Sequence, residues 1–397
     1  MPAPYSSISI PKRLLMGPGP SEVDPRVYQA MTQPVVGYLD GVLLRVMDEI
    51  HAMLRTVFCT QNVATFPLPG TGSAGMEASL INFIEPGDDV AVVVGGTFAA
   101  RMCEMVERCG GKLLRIDHRP GTIAHPDQVR QAVRRKRLKV LAVVHSETST
   151  GICQPLEPLK KIAQESGALL VVDTVSSLGG LPLKVDEWGL DVCYSGTQKC
   201  LACPPGLAPI TIGESAREVL RRRQRPVQSW YLDLSMVEKY WSQERRYHHT
   251  PPVSMLYALH EALRVVLEDD LETVWARHHQ CHRAFVQGVE AMGLKMFVED
   301  PAARAWTVNT IRVPDGVEEA RVRAGLTERF GIEIATGIGD LRGKIWRVGL
   351  MGRTARPELV LLLLNALESS LNDNGLSCPR GQGVATAEKE FQVLPVK

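Results

Sequence analysis

Strand-like and helix-like runs alternate along the first half of the chain. TFPLPG (65–70), AVVVGG (91–96), KLLRID (112–117), VLAVVHSE (140–147), ALLVVDTVSS (168–177) and LDVCYSG (190–196) are short and apolar at most positions. Between them lie SAGMEASLINFI (73–84), TFAARMCEMVERCG (97–110), PDQVRQAVRR (126–135) and PLEPLKKIAQESG (155–167), whose apolar residues recur at helical spacing. Strands without a polar face, separated by amphipathic helices, predict a mainly parallel sheet covered on both sides. LAPITIG (207–213) reads as a seventh strand returning antiparallel, and the strand pattern stops there.

The flanks read differently. Residues 24–58 carry helical spacing, and the proline-rich residues before them read as an arm. Downstream, one long helical stretch over 254–293 leads to a smaller α+β set: the strand WTVNTIRVP, the helix VEEARVRAGLTERFG, the strand KIWRVGLMG and the closing helix RPELVLLLLNALESSLND. The expected organisation is an N-terminal arm over 1–20, a large domain over 21–265, a small C-terminal domain over 266–374 and a mobile tail over 375–397 that lacks periodicity.

Composition acts mostly by exclusion. With 397 residues, 45% hydrophobic and 22% charged, the chain is an ordinary globular protein, and its net charge of +1 gives no global attraction to nucleic acid or an anionic membrane. The basic runs RRKRLK (134–139) and RRRQR (221–225) read as solvated helix faces or helix C-termini. No apolar run is long enough to cross a bilayer, and the N-terminus lacks the apolar core of a secretory signal, so a cytoplasmic protein is expected. Nine cysteines are an odd number at irregular spacing. The one cluster, Cys193, Cys200 and Cys203, has no fourth ligand nearby, and His248 and His249 have no third; no metal site is expected.

Candidate chemistry starts at CYSGTQKCLACPPG (193–206), which places the single lysine Lys199 among small, apolar and sulfur-bearing residues. A lysine held away from water sheds its proton and becomes a nucleophile, the form a Schiff-base lysine needs; a solvated loop lysine is the alternative. In LPGTGSAGMEA (68–78) a glycine-rich turn precedes a helix, so Thr71, Gly72 and Ser73 could cup a phosphate with backbone amides, or simply cap the helix. Asp173 closes the apolar strand of VVDTVSSLGG, where a carboxylate faces the ligand crevice of an open α/β sheet or caps a turn. Thr148 in HSETST ends another strand and could bond a ligand oxygen. Phe98 follows the diglycine of VVVGGTF and could stack on a planar ligand or pack in the core. Tyr247 and Thr250 of YHHTPP offer hydroxyl donors. Arg347, flanked by apolar residues in WRVGLMG, calls for an anion, structural or a substrate carboxylate. In this order the set matches what pyridoxal phosphate chemistry requires.

These segments, with LLMGPGPSEVDPRV, EPGDDV, HSETSTGICQPL and YHHTPPVSMLYALHEAL, resemble the class V (fold type I) pyridoxal-phosphate aminotransferases over roughly residues 12–370, and within them the alanine–glyoxylate and serine–pyruvate subgroup. The resemblance implies an aspartate-aminotransferase-like α/β fold and a homodimer with shared active sites. It implies pyridoxal 5'-phosphate on Lys199, Asp173 at the ring nitrogen and Phe98 against the ring. Thr148 would lie near the phenolic oxygen, and Thr71, Gly72, Ser73, Thr197 and Gln198 around the phosphate or ring edge. Tyr247 and Thr250 would reach the neighbouring subunit's phosphate, and Arg347, Gly19, Tyr38 and Thr148 would face the substrate. The implied reaction is ping-pong transfer of an amino group from alanine or serine to glyoxylate or pyruvate. Phe98 and Ser73 stand where tryptophan and histidine are usual in the alanine–glyoxylate enzymes. Tyr38 stands where the ureidoglycine–glyoxylate branch is expected to carry an amide, which argues against that branch. A cysteine desulfurase would need a catalytic cysteine in 331–345, and there is none. Arg347 counts against an aminophosphonate donor, and the full residue set against a partner protein that binds the cofactor without catalysis.

Overall fold

The computed structural model describes residues 7–393; residues 1–6 of the expected arm and 394–397 of the expected tail lie outside the described residues. Seven strands form the central sheet, in the order Ala64–Pro69, Leu207–Ile212, Val192–Tyr194, Leu169–Asp173, Val140–Val144, Asp89–Val94, Lys112–Asp117. Only Leu207–Ile212 runs antiparallel to its neighbours, as its position after the last crossover predicts. Five of the strands are buried at every residue, and Asp89–Val94 is exposed only at its first, which explains their unbroken apolar runs. Register aligns Val144, Asp173 and Tyr194 in one row at the carboxyl ends of three adjacent parallel strands. That row is the crevice where open α/β sheets bind ligands.

Two cores divide the molecule. One gathers buried residues from Val23 to Trp275 around the sheet. The other gathers Met16 with residues from Cys281 to Ala387, around a three-stranded sheet of Val308–Arg312, Ile345–Gly349 and Ala335–Thr336. Met16 belongs to this second core because Leu14–Leu15 pairs in parallel with Ile332–Glu333, and the Gly349 amide donates to the Met16 carbonyl at 2.8 Å. The N-terminal arm is therefore a strap stitched to the second core before it reaches the sheet.

Three expectations change. The long helix over 254–293 is two helices, Val253–Val266 and Leu271–Ala291, because Asp270 caps the second by accepting the Thr273 amide at 2.7 Å. The supposed mobile tail contains the helix Gln382–Val393, with Ala387 fully buried and Phe391 packed on the second core; its start is tied down by the Gly381 amide on the Glu368 carboxylate. Arg223 of the basic run is not solvated along its length. Its Nη1 donates to the carbonyls of Ile81, Asn82 and Ile84, at the C-terminal end of the helix Gly72–Ile81, where a cation complements the helix dipole.

The tail helix crosses Leu271–Ala291 where Gly288 meets Gly383. A Cβ on Gly288 would sit 2.8 Å from the Gly383 carbonyl oxygen and 2.5 Å from Leu364 Cδ1. Alanine is favoured over glycine in a helix by about 1 kcal/mol. Overpacking against backbone that cannot rotate away costs roughly 1–3 kcal/mol. Gly288→Ala is therefore expected to destabilise the fold by up to about 2 kcal/mol in denaturant titration. A stabilised variant would mean that the two helices are not held this close.

Candidate active site

One pocket of about 640 Å³ opens at the carboxyl ends of the parallel strands. It brings together Thr71, Gly72, Ser73, Phe98, Thr148, Asp173, Gln198 and Lys199, from five separate segments, and adds Met76, Arg101, Val144 and Val175 to the lining. Lys199 follows the strand Val192–Tyr194 and is 8% exposed. Its Nζ donates to the Pro18 carbonyl. Gly19 follows with φ +115°, a conformation that favours glycine, and a Cβ there would fall on the lysine side chain, 2.6 Å from its Cδ. Ser21 completes the clamp: its hydroxyl donates to the Lys199 carbonyl at 2.6 Å and its amide to the Gln198 carbonyl at 2.9 Å. The strap thus closes over the lysine, and burial, aided by the Arg347 charge, lowers the amine to about 8.

Asp173 is 2% exposed. Its Oδ1 accepts the Val175 amide at 2.8 Å and its Oδ2 the Tyr194 hydroxyl at 2.7 Å. Burial pushes the carboxyl up to about 7, and the nearby Glu147 adds to the rise; the two hydrogen bonds and Lys199 pull the other way. Glu147 went unnoticed in the sequence. It is buried and accepts the amides of Phe98 (3.4 Å), Ala99 (3.2 Å) and Ser149 (3.0 Å) and the Ser149 hydroxyl (2.5 Å), so it caps the helix Thr97–Arg108 that carries Phe98. Gly96 makes room for it, since a Cβ there would lie 2.5 Å from the carboxyl carbon. The guanidinium of Arg101 lies 4.9 Å from the Phe98 ring centroid, one turn along.

Arg347 comes from the second core. It is 8% exposed, its Nε donates to the Thr336 carbonyl at 2.7 Å and its Nη1 to the Thr148 carbonyl at 3.1 Å. Burial lowers the guanidinium to about 10. Thr148 bonds Ser176 through its hydroxyl.

Four expected site residues lie elsewhere. Thr197 is fully buried and spends its hydroxyl on the Pro204 carbonyl at 2.8 Å. Tyr247 and Thr250 bond each other at 3.1 Å outside the pocket, and the Tyr38 ring stacks on Tyr247 with centroids 6.1 Å apart. His248 and His249 do face each other, Nδ1 to Nδ1 at 2.9 Å, but no group of three His, Cys, Asp or Glu among the described residues could hold a metal ion.

The pocket has an anion-binding end and an end that carries the lysine. At one end the helix Gly72–Ile81 starts with no side-chain cap, so its first amides and the Thr71 and Ser73 hydroxyls remain for an anion. Close by, Gln198 Oε1 is buried without a partner. A Cβ on Gly72 would press to 3.1 Å on Val175, so the helix start lies against the segment that follows Asp173. At the other end stands the Lys199 amine, whose proton burial has loosened, near enough to the buried Arg347 to feel its charge. Such a site suits a flat ligand carrying a phosphate, a basic ring nitrogen and a carbonyl that an amine can attack, and pyridoxal phosphate has all three.

The fold and this pocket fit an enzyme that holds a phosphorylated aromatic cofactor. The comparisons give its family. The family described as Aminotransferase class-V matches residues 42–340. The crystal structure of ureidoglycine–glyoxylate aminotransferase from Bacillus subtilis superposes with a TM-score of 0.95 at 41% identity, covering 98% of this chain and 100% of that one. Alanine–glyoxylate aminotransferase from Nostoc sp. gives 0.91 at 43%, covering 93% and 98%. The alanine–glyoxylate aminotransferase of Callithrix jacchus is 38% identical, over 94% of this chain and 90% of its own. The chain belongs to the class-V aminotransferases and is a pyridoxal-phosphate-dependent enzyme.

A site built for a bound cofactor stores instability without it. An aspartate with an unfolded value near 3.8 and a folded value of about 7 favours the fold at low pH, and that advantage is lost as pH rises through 7. Asp173→Asn is therefore expected to stabilise the cofactor-free protein by about 1–2 kcal/mol at pH 8 and to make little difference below pH 4. Thermal unfolding across that range measures it, and equal stability of the two proteins at pH 8 would contradict the buried-charge penalty.

Proposed function

We propose that this aminotransferase takes its amino group from a small amino acid, alanine or serine, and passes it to a small 2-oxo acid, glyoxylate or pyruvate. The observation that carries this reading is Arg347. It is buried beside the lysine, two of its nitrogens are spent on backbone carbonyls, and no carboxylate among the described residues pairs with it. A guanidinium oriented in this way has donors left for a substrate carboxylate.

When bound, pyridoxal phosphate supplies a ring that draws electrons from the carbon bearing the amine. The chain's own residues do the rest. Thr71, Gly72, Ser73 and Gln198 hold the phosphate end, and Phe98 and Thr148 bear on the ring. Asp173 keeps a proton on the ring nitrogen. With the cofactor bound, Lys199 would be the amine that holds its carbonyl carbon and, once freed, the acid and base that moves the substrate's Cα proton. Donor and acceptor would use the same residues in turn, which would make the kinetics ping-pong. In this reading Gly19 contributes by keeping the substrate side clear above the lysine.

Two copies would complete the unit. Tyr28, Val35, Tyr38, Leu39, Trp230 and Tyr247 are each at least 39% exposed, an apolar and aromatic surface of the kind that subunits cover. Tyr247 and Thr250 belong to it, and we assign them to the neighbouring subunit's phosphate. Tyr38 in the same cluster would face the neighbour's substrate, where it offers a phenol ring in place of the amide side chain expected of the ureidoglycine branch. The described cysteines are all free, in keeping with the cytoplasm, and no described helix is long and apolar enough to cross a membrane.

Adding alanine, serine and ureidoglycine singly to the purified enzyme tests the donor. Alanine or serine is expected to bleach the visible cofactor band, and ureidoglycine to leave it; the reverse result would overturn the assignment. Arg347→Ala should raise KM for carboxylate substrates by one to two decades, the scale of losing about 1.5–3 kcal/mol from a charged hydrogen bond. An unchanged KM would remove Arg347 from the substrate site.

A further inference from the structure

Asp173 and Tyr194 stand side by side in register on adjacent parallel strands, so their side chains leave the sheet on the same face. Tyr194 is fully buried, and its hydroxyl lies 2.7 Å from Asp173 Oδ2. The other carboxylate oxygen takes the Val175 amide. The same tyrosine supports the anion cup. Gly75 lies on it, so closely that a Cβ there would be 3.2 Å from Tyr194 Cδ2. Gly75 belongs to the helix whose start forms the cup.

We infer that Tyr194 is a positioning residue of the cofactor site. Its hydroxyl holds the Asp173 carboxylate in the charged form that faces the pocket, and its ring sets the distance between that carboxylate and the phosphate cup. The inference rests on the cofactor lying with its ring nitrogen at Asp173. A tyrosine hydroxyl donating to a carboxylate favours the ionised acid. The other ionisable groups facing Asp173 are Lys199, which also favours ionisation, and Glu147, which opposes it. Burial lifts Asp173 to about 7, and the Tyr194 hydroxyl, with the Val175 amide and Lys199, pulls it back, so loss of this donor acts on a group poised near neutral pH.

The test is the dissociation constant of pyridoxal phosphate from the cofactor-free protein, measured between about pH 6 and 9 for the wild type, Tyr194→Phe and Asp173→Asn. Losing one hydrogen bond to a charged group should raise Asp173 by about one pH unit. The phenylalanine variant should then bind about as tightly as the wild type at pH 9 and roughly tenfold more weakly at pH 6. Lys199 titrates in both proteins, so its contribution cancels in this ratio. Tyr194→Met also lacks the donor and fills the slot; it should show the same trend and replaces the phenylalanine variant if that one does not fold. A ratio of one throughout, or a weakening equal at every pH, would overturn the inference, the second outcome meaning packing alone. If Asp173→Asn binds like the wild type at every pH, the ring-nitrogen assignment itself is wrong, and the inference falls with it.

Discussion

A lysine amine has to be kept out of water yet reachable, and much of the structure follows from that. Lys199 is held down by a strap whose other end belongs to the second core. Leu14–Leu15 pairs with Ile332–Glu333, Met16 accepts the Gly349 amide, and Pro18, Gly19 and Ser21 then close over Lys199 and Gln198. Arg347 lies two residues before Gly349 on the same strand. The strap and the guanidinium are thus fixed to one sheet, and movement of that sheet would shift both relative to the amine. At Gly19 a side chain and the lysine would compete for the same space.

Around the amine the chain buries four ionisable groups: Lys199, Asp173, Glu147 and Arg347. In a low-dielectric interior each would be costly alone. Here none stands alone. Glu147 accepts two amides at the start of the Phe98 helix and two donors from Ser149, Asp173 accepts two, and Arg347 donates to two carbonyls. The remaining capacity faces the pocket. Burial moves Lys199 and Asp173 toward neutrality, which is the range where a proton can be given and taken under physiological conditions.

The parallel sheet was legible because all its strands but the edge strand Lys112–Asp117 are apolar almost throughout, and the cup because glycines cluster between a strand and a helix. Lys199, Asp173 and Arg347 were legible as charges in apolar surroundings. Tyr194 and Glu147 were not. One acts across a strand pair and the other across a helix start, and neither partner is near in sequence. Thr197 shows the opposite error: it sits between Gly196 and Gln198, but its hydroxyl is taken by a carbonyl seven residues on. The helix Gln382–Val393 was hidden behind a Pro and Gly-rich lead-in, and its place depends on the Gly288–Gly383 contact, far apart in the chain. The break before Leu271 was readable in principle, since Asp270 follows two further acids at a cap position.

The whole of this chemistry depends on Lys199 being the amine that holds the cofactor. Reduction of the purified holoenzyme with borohydride, followed by peptide mass mapping, tests it directly. A reduced pyridoxyl group is expected on the peptide containing Lys199 and on no other lysine. Labelling of a different lysine, with the Lys199 peptide unmodified, would contradict it.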